Sequence, residues 1–177
     1  PEKSGEIVKK YAKKNSKIKI IFHKKNLGYG AAIKTGLKKS KCEYIFAIDG
    51  DGEYDVNVLP KLLKVSKDSD LVITHRYKKK YNTSRMLISW VYNTLLRFLF
   101  NTPFKDISSG SRLINKKLAK KIKINTNSPF LGAELAIKAN YLGYKVSEVG
   151  IHYYPTTFRS VNSVSTINII RTIRDMI

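Results

Sequence analysis

The spacing of apolar residues changes period along the chain and so outlines its elements. Ile7, Val8, Tyr11 and Ala12 recur at helical spacing between Glu6 and Lys14, with lysines on the opposite face, which predicts an amphipathic helix. Residues 18–22 then read as a short strand. From Asn26 to Leu37 the chain opens on Gly28 and Gly30 and continues as a helix of small residues. The apolar, β-prone run Tyr44–Ile48 predicts a buried strand, since turn formers bound it on both sides. Val58–Val65 is expected to be helical, with Pro60 in its first turn, and Asp70–Thr74 to be another strand. Helix and strand thus alternate, the pattern of an α/β domain.

The second half is less uniform. Met86–Phe100 is apolar almost all round, apart from a stripe of Arg85, Ser89, Asn93 and Arg97 that recurs every four residues. It is too short to cross a bilayer, and it suits either a helix buried in the core or one lying in a membrane interface. A polar turn from Phe104 feeds a short strand ending at Ile114, and Asn115 is placed to cap a basic helix, Lys116–Ile122. A helix from Leu131 to Leu142 is stopped by Gly143, and Lys145–Ile151 alternates as a strand. Ile167, Ile170, Ile173 and Ile177 mark a last helical segment. The organisation expected is one α/β domain over residues 1–166, with the start of an amphipathic helix over 167–177.

Composition narrows the partners. Of 177 residues, 34 are Lys or Arg and 13 are Asp or Glu, a net charge of +21 that favours anionic partners such as phosphorylated metabolites, nucleic acid or an anionic membrane surface. No reading helix or nucleic-acid motif accompanies the charge, which argues against nucleic acid. The single cysteine, Cys42, excludes an intrachain disulfide and fits a reducing compartment. His23, His75 and His152 have no metal-ligand spacing. The chain opens on Pro1 and ends inside a patterned segment, which reads as a fragment of a longer protein.

The chemistry gathers where the run Tyr44–Ile48 ends. Asp49, Asp51, Glu53 and Asp55 follow it, with Gly50 and Gly52 between the first three. Open α/β sheets bind ligands beyond the carboxyl ends of their strands, and two aspartates one residue apart offer hard oxygen ligands to Mg²⁺ or Mn²⁺. The plainer alternative is a surface turn whose acids face water. Gly28 and Gly30 would permit close backbone approach and expose helix N–H groups to an anion, although such a turn is also an ordinary tight connection. Arg76, Arg112 and Arg159 each end or follow a strand, and a guanidinium fork matches the oxygens of a phosphate.

Four blocks in this order, NLGYGAAIKTGL, YIFAIDGDGEYD, DISSGSRLI and the region from Glu134 through LGYKVSEVGIHYYPTTFRS, resemble the family 2 glycosyltransferases, specifically the polyprenyl-phosphate (dolichyl-phosphate) mannose or glucose synthase branch. The resemblance implies a GT-A fold: a Rossmann-like, three-layer α/β/α domain. It also implies that the family's first two strands would precede Glu6, so that the domain here is truncated at its N-terminus and lacks the part that reads the donor base. By resemblance, Asp49 and Asp51 hold the donor diphosphate and the metal, with Glu53 near the metal. Gly28, Gly30 and Lys34 back the donor, and Arg76, Ser109, Arg112, Arg159 and Ser163 hold the acceptor phosphate. Asp51, Arg112 and Glu134 are the catalytic candidates. Glu134 is read first as an acid at a helix start and second as a base for a hydroxyl acceptor. The activity implied is metal-dependent, inverting transfer of a hexose from GDP-mannose or UDP-glucose to a polyprenyl phosphate. The enzyme would be peripheral at the cytoplasmic face of a membrane, with membrane-spanning segments or a spanning partner beyond this chain. Transfer to a sugar hydroxyl and an inactive transferase-like domain are the alternatives.

Overall fold

The computed structural model describes residues 2–77, 83–154 and 166–176. Its sheet has four strands, β1 (Tyr44–Ala47), β2 (Leu71–Arg76), β3 (Arg112–Asn115) and β4 (Val146–Ile151), in the spatial order β1-β3-β2-β4. β2 and β4 run parallel, whereas β3 is antiparallel to both β1 and β2. The start of β3 therefore lies at the carboxyl ends of β1 and β2, with Arg112 opposite Ala47 on one side and Ile73 on the other.

Strand alternation divides the core into two layers. Ile45, Leu71, Ile73 and Ile114 face helices α2 (Tyr29–Lys39), α4 (Thr83–Phe100), α5 (Lys116–Lys121) and α6 (Leu131–Tyr141). Phe46, Val72, Leu113, Val149 and Ile151 face α3 (Leu59–Val65) through Leu62. The three-layer arrangement expected from the sequence is what the chain forms. Local signals act as anticipated: Asn115 caps α5 by accepting from Lys117 N–H at 2.8 Å, and Gly143 takes φ +78 after α6. Helix α1 (Glu2–Lys14) and helix α7 (Thr166–Met176) complete the elements, and Met176 packs on the larger layer.

Two expectations differ from the structure. Residues 18–22 form no strand; a strand exists only through its ladder, and among the described residues no strand lies beside this segment. Ile21 and Phe22 remain exposed there. Helix α4 is not buried in the core either. Asn93 turns inward beside Leu96, 4% exposed and with its amide bonded to Ser89 O at 2.8 Å, whereas Arg97 and several apolar side chains, Phe98 among them, face out.

Candidate active site

The acidic turn begins where β1 stops pairing. Asp49 is half-buried and Asp51 exposed, and Gly52 takes φ +76 so that the Glu53 N–H can donate to Asp51 Oδ1 at 3.1 Å. Glu53 then turns back into the protein. It is 2% exposed and accepts from the Tyr153 hydroxyl, and its backbone carbonyl accepts from Tyr154 N–H at 3.0 Å. A bridge between Tyr54 and Tyr153 fixes the end of the turn against the segment after β4.

Asp49 is the centre of a closely fitted cluster. The Tyr29 hydroxyl, at the start of α2, bonds to it and feels the Arg112 guanidinium as well; burial raises the Tyr29 pKa, and Arg112 opposes that rise. On the other side lies Gly110, where a Cβ would sit 1.9 Å from Asp49 Oδ2, so only glycine leaves the carboxylate its place. Gly110 N–H donates to the Tyr54 hydroxyl at 2.9 Å. Burial raises Tyr54 too, with Arg76 acting against the rise.

The segment 106–111 joins the two arginines. Arg76 forms a two-pronged pair with Asp106, Nε to Oδ2 at 2.6 Å and Nη2 to Oδ1 at 2.8 Å, and its guanidinium lies 5.5 Å from the Tyr153 ring centre. Glu148 orders the same segment by accepting the N–H groups of Lys105 and Asp106. Ser109 Oγ bonds Thr74 Oγ1 at 2.6 Å. Arg112 is 3% exposed; its Nη2 donates to Ser109 O, and Nη1 is buried without a hydrogen-bond partner among the described residues. The guanidinium lies where a Cβ on Gly132 would be, 2.4 Å from Nη2, so a glycine in the first turn of α6 gives it room. The arginines share one end of the sheet but leave it from opposite faces, bracketing the acidic turn.

Other expected residues are placed differently. Gly30 packs so tightly on Asn127 that a Cβ would fall 2.6 Å from its Cα, and Gly30 N–H donates to Asn127 O at 3.0 Å. That glycine serves internal packing. Gly28, at φ +88, starts α2 and lines a cavity of about 870 Å³ that also meets Asn127, Arg171 and Arg174; neither Asp49 nor Asp51 lines it. Lys34 reaches toward Asn125 O at 3.5 Å and lines a separate groove with Lys38, Lys41, Lys116 and Lys120, so the structure does not bring it to the acidic turn. Arg159 and Ser163 lie outside the described residues.

Glu134 is a structural acid. Burial alone would raise its pKa, but Asn125 N–H at 2.7 Å, the Lys138 ammonium, the Thr126 hydroxyl at 2.7 Å and Thr126 N–H outweigh that and hold the carboxyl below its ordinary value. A base for a hydroxyl acceptor needs a carboxylate free to take a proton, with a pKa nearer neutrality, so the geometry corrects the catalytic reading of Glu134 to its helix-start role. Through Asn125 and Thr126 it shapes the loop on which Gly30 rests. Sequence reading missed Tyr29, Tyr54, Asp106, Glu148 and Tyr153. All five lie inside blocks already singled out, but none stood out there by residue type.

For a divalent ion, no cluster of three or more His, Cys, Asp or Glu is present among the described residues. Glu53 does not fit a ligand role in this arrangement because its carboxylate bonds Tyr153 inside the protein. Asp49 and Asp51 do fit. Mg²⁺-type sites commonly use one or two carboxylates and complete themselves with substrate phosphates.

Comparison with known proteins agrees with the geometry. Residues 1–123 match the model of glycosyl transferase family 2. The chain belongs to that family. It is 28% identical to a dolichyl-phosphate beta-glucosyltransferase of Trichomonas vaginalis, over 86% of this chain and 50% of that protein. It is 29% identical to a dolichyl-phosphate hexose transferase of Haloferax volcanii, over 71% of this chain and 57% of the relative. An undecaprenyl-phosphate mannosyltransferase of Micrococcus luteus is 23% identical over 86% of the chain and 68% of its own length. The chain thus spans about half the length of the two dolichyl-phosphate transferases. Glucosyl-3-phosphoglycerate synthase of M. tuberculosis, solved with Mn²⁺, UDP-glucose and phosphoglyceric acid, superposes with a TM-score of 0.62 at 14% identity, covering 84% of this chain and 54% of that one. The fold is a GT-A glycosyltransferase fold.

Proposed function

We propose that the protein transfers a hexose from a nucleotide-diphosphate sugar to a polyprenyl phosphate at the cytoplasmic face of a membrane, with inversion at the anomeric carbon. One observation carries this reading: an acidic turn at the carboxyl end of the sheet, its Asp49 fixed by Tyr29 and Gly110, set between Arg76 and Arg112. Asp49 and Asp51 would hold Mg²⁺ or Mn²⁺, which supplies Lewis-acid stabilisation to the departing diphosphate.

The residues of this chain divide the remaining work. Arg112 brings a buried positive charge with one unfilled donor, suited to a phosphate oxygen. Arg76 is already committed to Asp106, and its role is to hold the 106–111 segment against the acidic turn. Ser109, bonded to Thr74, keeps its carbonyl aimed at Arg112. A phosphate monoester has its second pKa near ~6 and is ionised at neutral pH, so its oxygen attacks without a general base. That agrees with Glu134 being fully engaged elsewhere, and it disfavours a sugar hydroxyl as acceptor. The similarity to dolichyl- and undecaprenyl-phosphate transferases supports the lipid acceptor.

The test is incubation of the intact protein with labelled GDP-mannose or UDP-glucose, Mg²⁺ or Mn²⁺, and polyprenyl phosphate, followed by lipid extraction. Labelled lipid is expected with one donor, and Asp51→Ala should lower the rate by at least ~100-fold, the scale of losing one developing-charge stabiliser. Absence of labelled lipid with either donor would overturn the proposal, as would an Asp51→Ala variant as active as the native protein.

A further inference from the structure

Helix α4 is apolar on its outer side as well as its inner one, unlike an ordinary surface helix. Asn93 and Leu96 are turned to the core, while Leu87, Ile88, Val91, Leu95, Phe98 and Leu99 face outward, Phe98 with 83% of its surface exposed. At one margin of this face Trp90, 63% exposed, and Arg97 lie two turns apart. No acidic residue occurs anywhere in the helix, and Lys78, Lys79 and Lys80 stand just before it in the sequence. A contiguous apolar face of this kind marks a docking surface, and an aromatic and a cation at its margin suit the junction of acyl chains and headgroups. No helix among the described residues is long and apolar enough to cross a membrane.

The inner side of the same helix leads to the candidate site. Tyr92 packs on the core layer, and its hydroxyl feels the Arg112 guanidinium. From the helix end, residues 101–111 run directly into the segment that holds Arg76 and Arg112. An α-helix with its side chains is ~10 Å across, so a surface touched by the outer face lies about that far from Arg112.

We propose that the outward apolar face of α4 lies in the headgroup–acyl boundary of an anionic bilayer and so presents Arg112 to a phosphate carried by that bilayer. The second half of this statement rests on the functional reading above. The net charge of +21 and the absence of acids on α4 select an anionic bilayer over a second copy of the chain, whose equal positive charge would be repelled.

Trp90 is the only tryptophan of the chain and reports on this helix directly. The intact protein is mixed with vesicles of phosphatidylcholine, alone or with phosphatidylglycerol, some carrying acyl chains brominated near the headgroup end. With anionic vesicles Trp90 emission should shift to the blue and be quenched by the brominated lipid, less so at high salt. The double variant Val91→Glu/Phe98→Glu, altered only at exposed positions, should keep its circular dichroism and lower vesicle partitioning at least ~10-fold. Its turnover with long-chain polyprenyl phosphate in vesicles should fall in parallel, while turnover with a short, water-soluble prenyl phosphate should hold. Trp90 that stays unquenched while the protein sediments with vesicles would overturn the proposal. So would concentration-dependent self-association, without lipid, that shields Trp90 and is abolished by the double variant. Quenching of Trp90 together with no sugar transfer to any acceptor would overturn the functional reading and leave the docking face standing.

Discussion

Replacing Gly110 with alanine perturbs the cluster around Asp49 at one atom. Gly110 has no positive φ that would strain an alanine, so the effect comes only from the new Cβ. That atom would lie 1.9 Å from Asp49 Oδ2 and 2.5 Å from Cγ, about 1.5 Å short of ordinary van der Waals contact. Either the carboxylate swings away and gives up its Tyr29 partner, or segment 106–111 recedes and pulls Gly110 N–H from the Tyr54 hydroxyl. Overpacking of this kind costs about 1–3 kcal/mol, or roughly 2–10 °C in melting temperature for a domain of this size. The larger effect is on function, because a reacting group misplaced by ~1 Å lowers rate by ~100-fold. Gly110→Ala should therefore melt cooperatively a few degrees early and lose at least ~100-fold in kcat/KM for sugar transfer, with weakened nucleoside diphosphate binding by titration. Gly36→Ala is the matched control, since its Cβ meets nothing within 4 Å. Native kcat/KM and native diphosphate affinity in Gly110→Ala would refute the placement of Asp49 as the centre of the site.

Three further outcomes follow from the same geometry. Gly36→Ala, in the interior of α2, should stabilise the protein by ~0.5–1 kcal/mol, read from urea denaturation, because alanine loses less backbone freedom on folding than glycine. Asp106→Ala strips the partner from an Arg76 side chain only 10% exposed, and a loss of about 3–5 kcal/mol is expected on the same denaturation curve. Glu134 is held below its ordinary pKa in the folded protein, so its contribution is full above the ordinary carboxylate range and fades as pH falls toward the folded value. The melting-temperature gap between native protein and Glu134→Gln should accordingly narrow on acidification; a gap that widens would contradict the assignment.

Much of this is legible in the sequence. The alternation of apolar runs marked all four strands of the sheet, and Asn115 and Gly143 act as the caps their residue types announce. These features are local: periodicity and capping depend on neighbours a few residues away. The acid-ended strand and the resemblance of four short blocks likewise pointed to the family and to Asp49 and Asp51.

What the sequence could not decide depended on residues far apart in the chain. Residues 18–22 have strand composition, but a strand forms only with a partner beside it. Met86–Phe100 suited either a helix buried in the core or one lying in a membrane interface, and packing against the core left Asn93 and Leu96 hidden and Phe98 exposed. Arg76 and Glu134 carried the residue types of a binding site, yet Asp106 in one case and residues 125–126 in the other consume their hydrogen-bonding capacity. By itself the sequence determined the four strands of the sheet, the family and the acidic turn, because each is written in short-range pattern. Which charged groups the scaffold already engages was decided by tertiary structure, because a buried charge is bound by whatever partner the fold places within hydrogen-bond reach.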